Sequence, residues 1–298
     1  MILSSNYNRY ESYFHEQAFQ KMKENGYGAC DYVLYLCKSP LDRSDEPSFA
    51  EIEKNCERLR VSAASQKVKI FQTHAGFYFD SDCYDKEYAD AYVAHTMKQI
   101  VMTKLMGAKY MVVHPVQPYR WNDDLQPEKT EQLNVEILKR LSEKAEREGV
   151  VLALENMPAR YSTIPCAMPE RLIGYVDKVN SEYLKICLDT GHANIARNCR
   201  SEGKVPTCGD YVRAFGKRIV CLHLHENDGK TDQHNMPDTT MTGAPDWNEI
   251  FAALKETSYS GTLNSEASFS ARLPEELFND AEKLQAKLLT YYADKYDL

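Results

Sequence analysis

The chain has 298 residues, 43% of them apolar, which is enough for one large α/β barrel and long for a compact domain of any other kind. Forty-four acidic against 36 basic residues leave a formal charge of −8, which opposes the counterion release that drives most nucleic-acid binding and disfavours a duplex partner. The opening MILSSNYNRYESYF has no basic start followed by an apolar core, and nowhere do about eighteen apolar residues run together, so a cytoplasmic protein without a membrane partner is expected.

Taken in chain order, short runs rich in Val, Ile, Leu and Tyr predict strands at 1–5 (MILSS), 29–36 (ACDYVLYL), 68–74 (VKIFQTH), 109–114 (KYMVVH), 150–155 (VVLALE), 184–189 (LKICLD), 218–225 (RIVCLHLH) and 261–266 (GTLNSE). Helical periodicity follows each, near 11–25, 47–66, 87–106, 128–148, 168–179, 209–216, 246–258 and 275–292. Strands that are apolar almost throughout imply burial on both faces, as in a parallel sheet with helical crossovers. Eight such units predict a (β/α)8 TIM barrel, with residues 1–298 as a single domain. Pro127 before the fourth helix, Gly149 after it and Pro274 before the last one agree with this reading. Nine scattered cysteines without a CxxC pair suggest reduced thiols rather than a disulfide framework.

The chemistry collects at the strand ends. His74, His114, Glu155, Asp189, His225 and Glu266 close six consecutive predicted strands, and His192, Asp232 and His234 follow in loops at the same rim. That carboxyl-end rim is where barrel enzymes build their sites. His223 alternates with His225 and therefore faces the same way, as a supporting partner or a buried hydrogen-bonded residue. His15 and His95 fall within helices. Taken singly, each rim residue has a plain alternative: a bonded structural histidine, a solvated carboxylate, or, for Asp189, the cap of the next helix. Six strand ends together are harder to explain that way, because crowded carboxylates repel unless a cation sits among them. Imidazole and carboxylate donors without thiolate suit zinc, manganese, magnesium, cobalt or iron alike.

The segments THAG at His74, VVHP at His114, LALENM at Glu155, CLDTGHA at Asp189 and His192, HLHENDGK at His225, TDQH at Asp232 and His234, and LNSE at Glu266 resemble the xylose isomerase-like TIM barrel superfamily. That superfamily includes sugar phosphate isomerases and epimerases and the endonuclease IV branch of AP endonuclease family 2. The likeness to ketose 3-epimerases implies one divalent metal on Glu155, Asp189, His225 and Glu266, with Glu155 and Glu266 as the catalytic proton-transfer pair. The likeness to endonuclease IV implies that His74, His114, His192, Asp232 and His234 join these in a three-zinc cluster. His225 rather than His223 is matched because an acid, Asp228, follows it by three residues. The chain departs from some ketose epimerases at Thr231 and Tyr161, where they carry Arg and Glu, and from both branches in NMPDTTMTGAPDW, which lacks their glycine-rich turn.

The expected activity is metal-dependent isomerisation or epimerisation of a sugar or sugar phosphate, a function in carbohydrate metabolism. A zinc phosphodiesterase and a polyol dehydratase are the alternatives. Tyr78, Phe79, Tyr119, Trp121 and Trp247 are candidates for apolar pocket walls, and Ser268, Ser270 and Arg272 for a phosphate contact. The oligomeric state is left open, a homo-oligomer included.

Overall fold

The computed structural model describes residues 1–13, 15–76, 83–117, 126–158, 166–197 and 206–298, with the backbone alone at Phe269. Eight parallel strands make one sheet: β1 (Leu3–Asn6), β2 (Ala29–Val33), β3 (Lys69–His74), β4 (Tyr110–Val113), β5 (Val151–Glu155), β6 (Leu184–Asp189), β7 (Ile219–His223) and β8 (Leu263–Ser265). Neighbours in sequence are neighbours in space, and β1 also pairs with β8. The ring closes between β7 and β8 through a parallel bridge from Leu224 to Ser265, with Leu224 N donating to Asn264 O at 2.8 Å.

Alternation along the strands divides the core into two layers. Val112, Ala153, Cys187 and Cys221, one from each of β4 to β7, fill the barrel interior. Their neighbours Met111, Val113, Leu152, Leu154, Ile186, Leu188 and Leu222 face outward into the larger core shared with the helices. Both faces are thus buried, which is why these strands read as unbroken apolar runs.

Helices α1 (His15–Glu24), α2 (Phe49–Ser65), α3 (Lys86–Leu105), α4 (Pro127–Glu148), α5 (Pro169–Val179), α6 (Thr190–Ala196), α7 (Cys208–Phe215), α8 (Trp247–Glu256) and α9 (Phe278–Lys295) cover the outside. Pro127 is the first residue of α4, where its missing N–H costs nothing, and Gly149 ends that helix in the left-handed region at φ 72°. Pro274 opens a 3-10 turn, Glu275–Leu277, and α9 begins only after it. The first strand leads into another 3-10 turn, Tyr7–Tyr10, which delays α1 to His15.

Two differences from the sequence reading bear on the site. An extra helix, α6, starts immediately after β6, because the Asp189 side chain accepts the N–H of His192 and caps it. The β7 ladder stops at His223, opposite Asp189, because β6 turns into α6 there. His225 therefore stands just beyond the strand. The eight described cysteines are all buried and none is in a disulfide; Cys199 is outside the described residues. No helix among the described residues is long and apolar enough to cross a membrane.

Candidate metal centre

All nine rim residues singled out in the sequence come together at the carboxyl end of the barrel. Glu155 occupies the middle of one half. Its Oε2 lies 2.8 Å from His114 Nε2 and 3.3 Å from His74 Nε2, and its Oε1 lies 3.2 Å from His223 Nδ1 and 3.3 Å from His192 Nδ1. Asp189 serves two partners: Oδ1 caps α6 through His192 N at 2.6 Å, while Oδ2 lies 3.0 Å from His225 Nε2. The cap that the sequence offered for Asp189 is present, and the same carboxylate also lies among the rim donors. Glu266 Oε2 is 3.3 Å from His223 Nδ1 and 4.0 Å from His225 Nε2. Asp232 Oδ2 is 3.1 Å from His234 Nε2 and 3.4 Å from His192 Nε2.

Four donor groups without a thiol result, the donor atoms of each lying within 4.8 Å of one another: His74, His114 and Glu155; Glu155, Asp189, His223 and Glu266; Asp189, His192 and His225; and His225, His234 and Glu266. The four-donor group contains His223 where the sequence reading placed His225. Both histidines face the carboxylates. His225 Nδ1 is buried without a hydrogen-bond partner, and its ring stacks on that of His234 at 3.9 Å between centroids. The other side of the ring lies against Gly191, where a Cβ would come within 2.0 Å of His225 Cε1. A crevice that only glycine leaves open thus holds an imidazole whose Nε2 faces the carboxylates of Asp189, Asp232 and Glu266 at 3.0, 3.9 and 4.0 Å. This donor set, neutral nitrogen and anionic oxygen at short range, fits a divalent cation. Cys187 also borders Glu155 and His223, but burial pushes its thiol up, so it stays protonated and is a poor ligand.

The electrostatics separate the two glutamates. Burial alone would raise the Glu155 carboxyl, yet His223 and His114 hold it well below the ordinary range. Glu266 is raised, chiefly by burial. Asp189 is held at about 2 against its burial by His192 and His225. Among the histidines, burial lowers His114 to about 4, whereas His234, against its own burial, is carried up to about 9 by its bond to Asp232.

The residues around these donors brace the strand ends sideways. Asn156, next to Glu155, donates from Nδ2 to Asp189 O at 2.9 Å and accepts from Asp189 N at 2.8 Å. Thr190, next to Asp189, donates to His225 O at 2.7 Å and accepts from His225 N at 3.1 Å. Asp31 of β2, which the sequence reading passed over, lies beneath the site with Oδ2 at 3.1 Å from both His223 Nε2 and Gln72 Nε2. The available signal was an acid in the middle of a strand that is otherwise apolar.

Above the donors lies a cavity of about 280 Å³, with Val33, Met157 and Pro158 supplying apolar wall and His74, His192 and Glu266 reaching in from the rim. Trp247 is not part of that wall. It is buried at the start of α8, where its Nε1 donates to Glu226 at 2.7 Å. Tyr78, Phe79, Tyr119, Trp121 and Tyr161 are outside the described residues. Two of the three candidate phosphate contacts bond to other groups of the protein: buried Ser270 donates to Glu282 at 2.5 Å, and Arg272, at the surface, bonds Asn235 Oδ1 and the Gln233 carbonyl.

The pattern of the family described as xylose isomerase-like TIM barrel matches residues 19–287. A D-psicose 3-epimerase of Enterocloster bolteae is 30% identical over 163 residues, 55% of this chain and 48% of the epimerase. An uncharacterised Methanocaldococcus jannaschii protein, MJ1311, is 30% identical over 164 residues, 54% of this chain and 51% of that protein. The match thus spans about half the length of these relatives. Among solved structures, a D-tagatose 3-epimerase-like protein superposes with a TM-score of 0.75 at 22% identity, over 100% of this chain and 98% of its own, a likeness of fold. With its eight-stranded barrel and a family match over most of its length, the chain belongs to the xylose isomerase-like TIM barrel family.

Proposed function

We propose that the chain is a metal-dependent sugar isomerase or epimerase in which Glu155 and Glu266 are the proton-transfer pair and Glu155, Asp189, His225 and Glu266 hold the cation. The observation that carries this reading is the pair of glutamates, from strands three apart in the ring. Their donor atoms lie within 4.8 Å of each other, and their surroundings push the two carboxyls in opposite directions. Surroundings that favour the ionised form of one carboxyl and the protonated form of the other suit removal and return of a proton. The names of the neighbours, D-psicose 3-epimerase and D-tagatose 3-epimerase-like protein, support the same substrate class.

A bound divalent cation would polarise the carbonyl and adjacent hydroxyl oxygens of an open-chain sugar and so ease loss of the neighbouring proton. Glu155, held ionised, takes that proton from carbon, and the electron pair left behind delocalises into the carbonyl. Glu266, from its protonated form, returns a proton to the other face of the same carbon or to the adjacent one. The first outcome is epimerisation and the second isomerisation. His114 and His192, at the cavity edge, are placed to hold substrate hydroxyls, and the apolar wall of Val33, Met157 and Pro158 limits water around the reacting carbon. His223, which touches both glutamates through one nitrogen and Asp31 through the other, supports the site from beneath. With Ser270 and Arg272 already engaged, the described residues favour a free sugar over its phosphate.

The four adjoining donor groups, which share Glu155, Asp189, His225 and Glu266, also favour a second reading, a multinuclear phosphodiesterase. The net charge of −8 opposes a duplex substrate. Metal analysis of the purified protein, then a screen of free ketoses, ketose phosphates and an abasic-site duplex, separates the two. On the sugar that reacts, Glu155→Gln lowers turnover by about 10²-fold or more. Full turnover in that variant refutes the assigned role, and cleavage of the duplex alone transfers the conclusion to the second reading.

A further inference from the structure

Arg9 lies in the turn after β1, yet its guanidinium spans the seam where β8 closes on β1. Its Nη2 donates to the Ser265 carbonyl at 2.8 Å and to Ser5 Oγ at 2.6 Å, and its Nη1 donates to the Ala267 carbonyl. The residue between those two carbonyls is Glu266. Nη1 also pairs with Glu282 of α9 at 3.2 Å, the two side chains being 7% and 0% exposed. Glu282 in turn accepts hydrogen bonds from Tyr10 at 3.1 Å, Ser270 at 2.5 Å and Gln285 at 2.8 Å.

A charge pair buried this deeply carries a large desolvation cost, and apolar side chains of the same volume often stabilise a fold as well or better. An apolar side chain could not, however, hold two carbonyls at a set separation. The planar fork of arginine does so with fixed geometry, and Glu282 locks the fork in place. Asn156 braces β5 against β6 and Thr190 braces β6 against β7; at β8 the brace is Arg9.

We propose that Arg9, anchored by Glu282, is a positioning residue that fixes Glu266 relative to the other cation donors. This rests on the reading of Glu266 as a donor in the site. Removing the fork leaves the Glu266 backbone its bonds to the Leu224 carbonyl and His234 Nδ1, both at 3.1 Å, but takes away the clamp on the carbonyls either side, and its carboxylate then shifts relative to Glu155 and Asp189.

The test titrates Co²⁺ into the unaltered protein and into Arg9→Met, Arg9→Lys, Tyr10→Phe and Glu266→Gln, following visible absorption, with a melting temperature for each. Arg9→Met is expected to keep its fold, to bind Co²⁺ on the order of tenfold more weakly and to show an altered visible band. Arg9→Lys, whose ammonium reaches one carbonyl, recovers part of the affinity. Tyr10→Phe removes a bond to the same Glu282 without touching either carbonyl; it lowers the melting temperature and leaves Co²⁺ affinity within about twofold. An Arg9→Met protein that binds Co²⁺ within about twofold of the unaltered chain overturns the proposal. So does a Tyr10→Phe loss as large as that of Arg9→Met, since the effect is then general destabilisation. If Arg9→Met does not fold, Arg9→Lys decides: folded protein with undiminished affinity overturns the role, and folded protein with weakened affinity supports it. Unchanged Co²⁺ binding in Glu266→Gln overturns the site reading, and the inference with it, whatever the Arg9 variants do.

Discussion

Asp31 stands in the middle of a strand buried on both faces, where an apolar side chain would pack without cost. A buried carboxylate is kept there by its bonds to His223 and Gln72. It fixes which way the His223 ring points, and so where Nδ1 sits beneath Glu155 and Glu266. Outer partners of this kind are generally worth 10- to 100-fold in metal affinity or activity. Asp31→Asn, of the same shape but without the charge, is expected to melt close to the unaltered protein and to bind Mn²⁺ on the order of tenfold more weakly by calorimetry. Undiminished binding would reduce Asp31 to a packing residue. At this scale six of the nine rim residues were legible because strand-end position alone predicts convergence, and His192, Asp232 and His234 because they follow in loops at the same rim. Asp31 was not, since strand patterning reads it only as an interruption. The role of Trp247 was not legible either, because its burial depends on a bond to Glu226, 21 residues away in the chain.

The loop from Glu226 to Pro245 shows how an element departs from its family pattern without losing its shape. It lacks a glycine-rich turn, and a buried carboxylate does the ordering. Glu226 pairs by backbone with Asn235 at 2.8 and 2.9 Å, and its side chain accepts from Asp238 N, Thr239 N, Thr240 N and Trp247 Nε1 at 2.5 to 3.0 Å. The stretch between carries Asp232 and His234, the latter in the left-handed region at φ 49°, a strained conformation for a residue with a side chain. Its carbonyl accepts from Ser268 N at 2.8 Å, which ties the loop to the segment after β8. Glu226→Ala leaves four donors without their acceptor and is expected to cost about 3 kcal/mol, read as a shift in denaturation midpoint. It should also weaken the Asp232 and His234 side of the site more than the Glu155 side. Equal loss on both sides, mapped by histidine NMR shifts on metal titration, would mean that the loop acts only through overall stability. The sequence marked this loop as functional by its length, but the four-donor carboxylate is a tertiary feature that no local pattern carries.

For the whole molecule, the barrel was legible because eight apolar runs at steady intervals, each followed by a charged helix, admit few other closures. The extra helix after β6 was missed for a physical reason: a seven-residue helix, every residue of it buried, shows no amphipathic period. The site that this architecture assembles should dominate the response of the metal-free protein to pH. His234 is carried up to about 9, and His192 is also raised well above the ordinary imidazole value, against burial, by the carboxylates around them. Between about pH 6.5 and 9 the folded state therefore binds more protons than the unfolded chain, so stability is full below about 6.5 and is lost as pH rises through 9. His114, lowered to about 4, and Asp189, held at about 2, act in the opposite sense, but only below that window. A bound cation takes the place of those protons, and its affinity grows as the imidazoles deprotonate. Melting curves from pH 6.5 to 9 should accordingly fall steadily for chelator-treated protein and stay flat or rise in saturating Mn²⁺. Parallel curves would show that these histidines do not share a cation, because the protons lost on heating would then be the same with the metal present or absent.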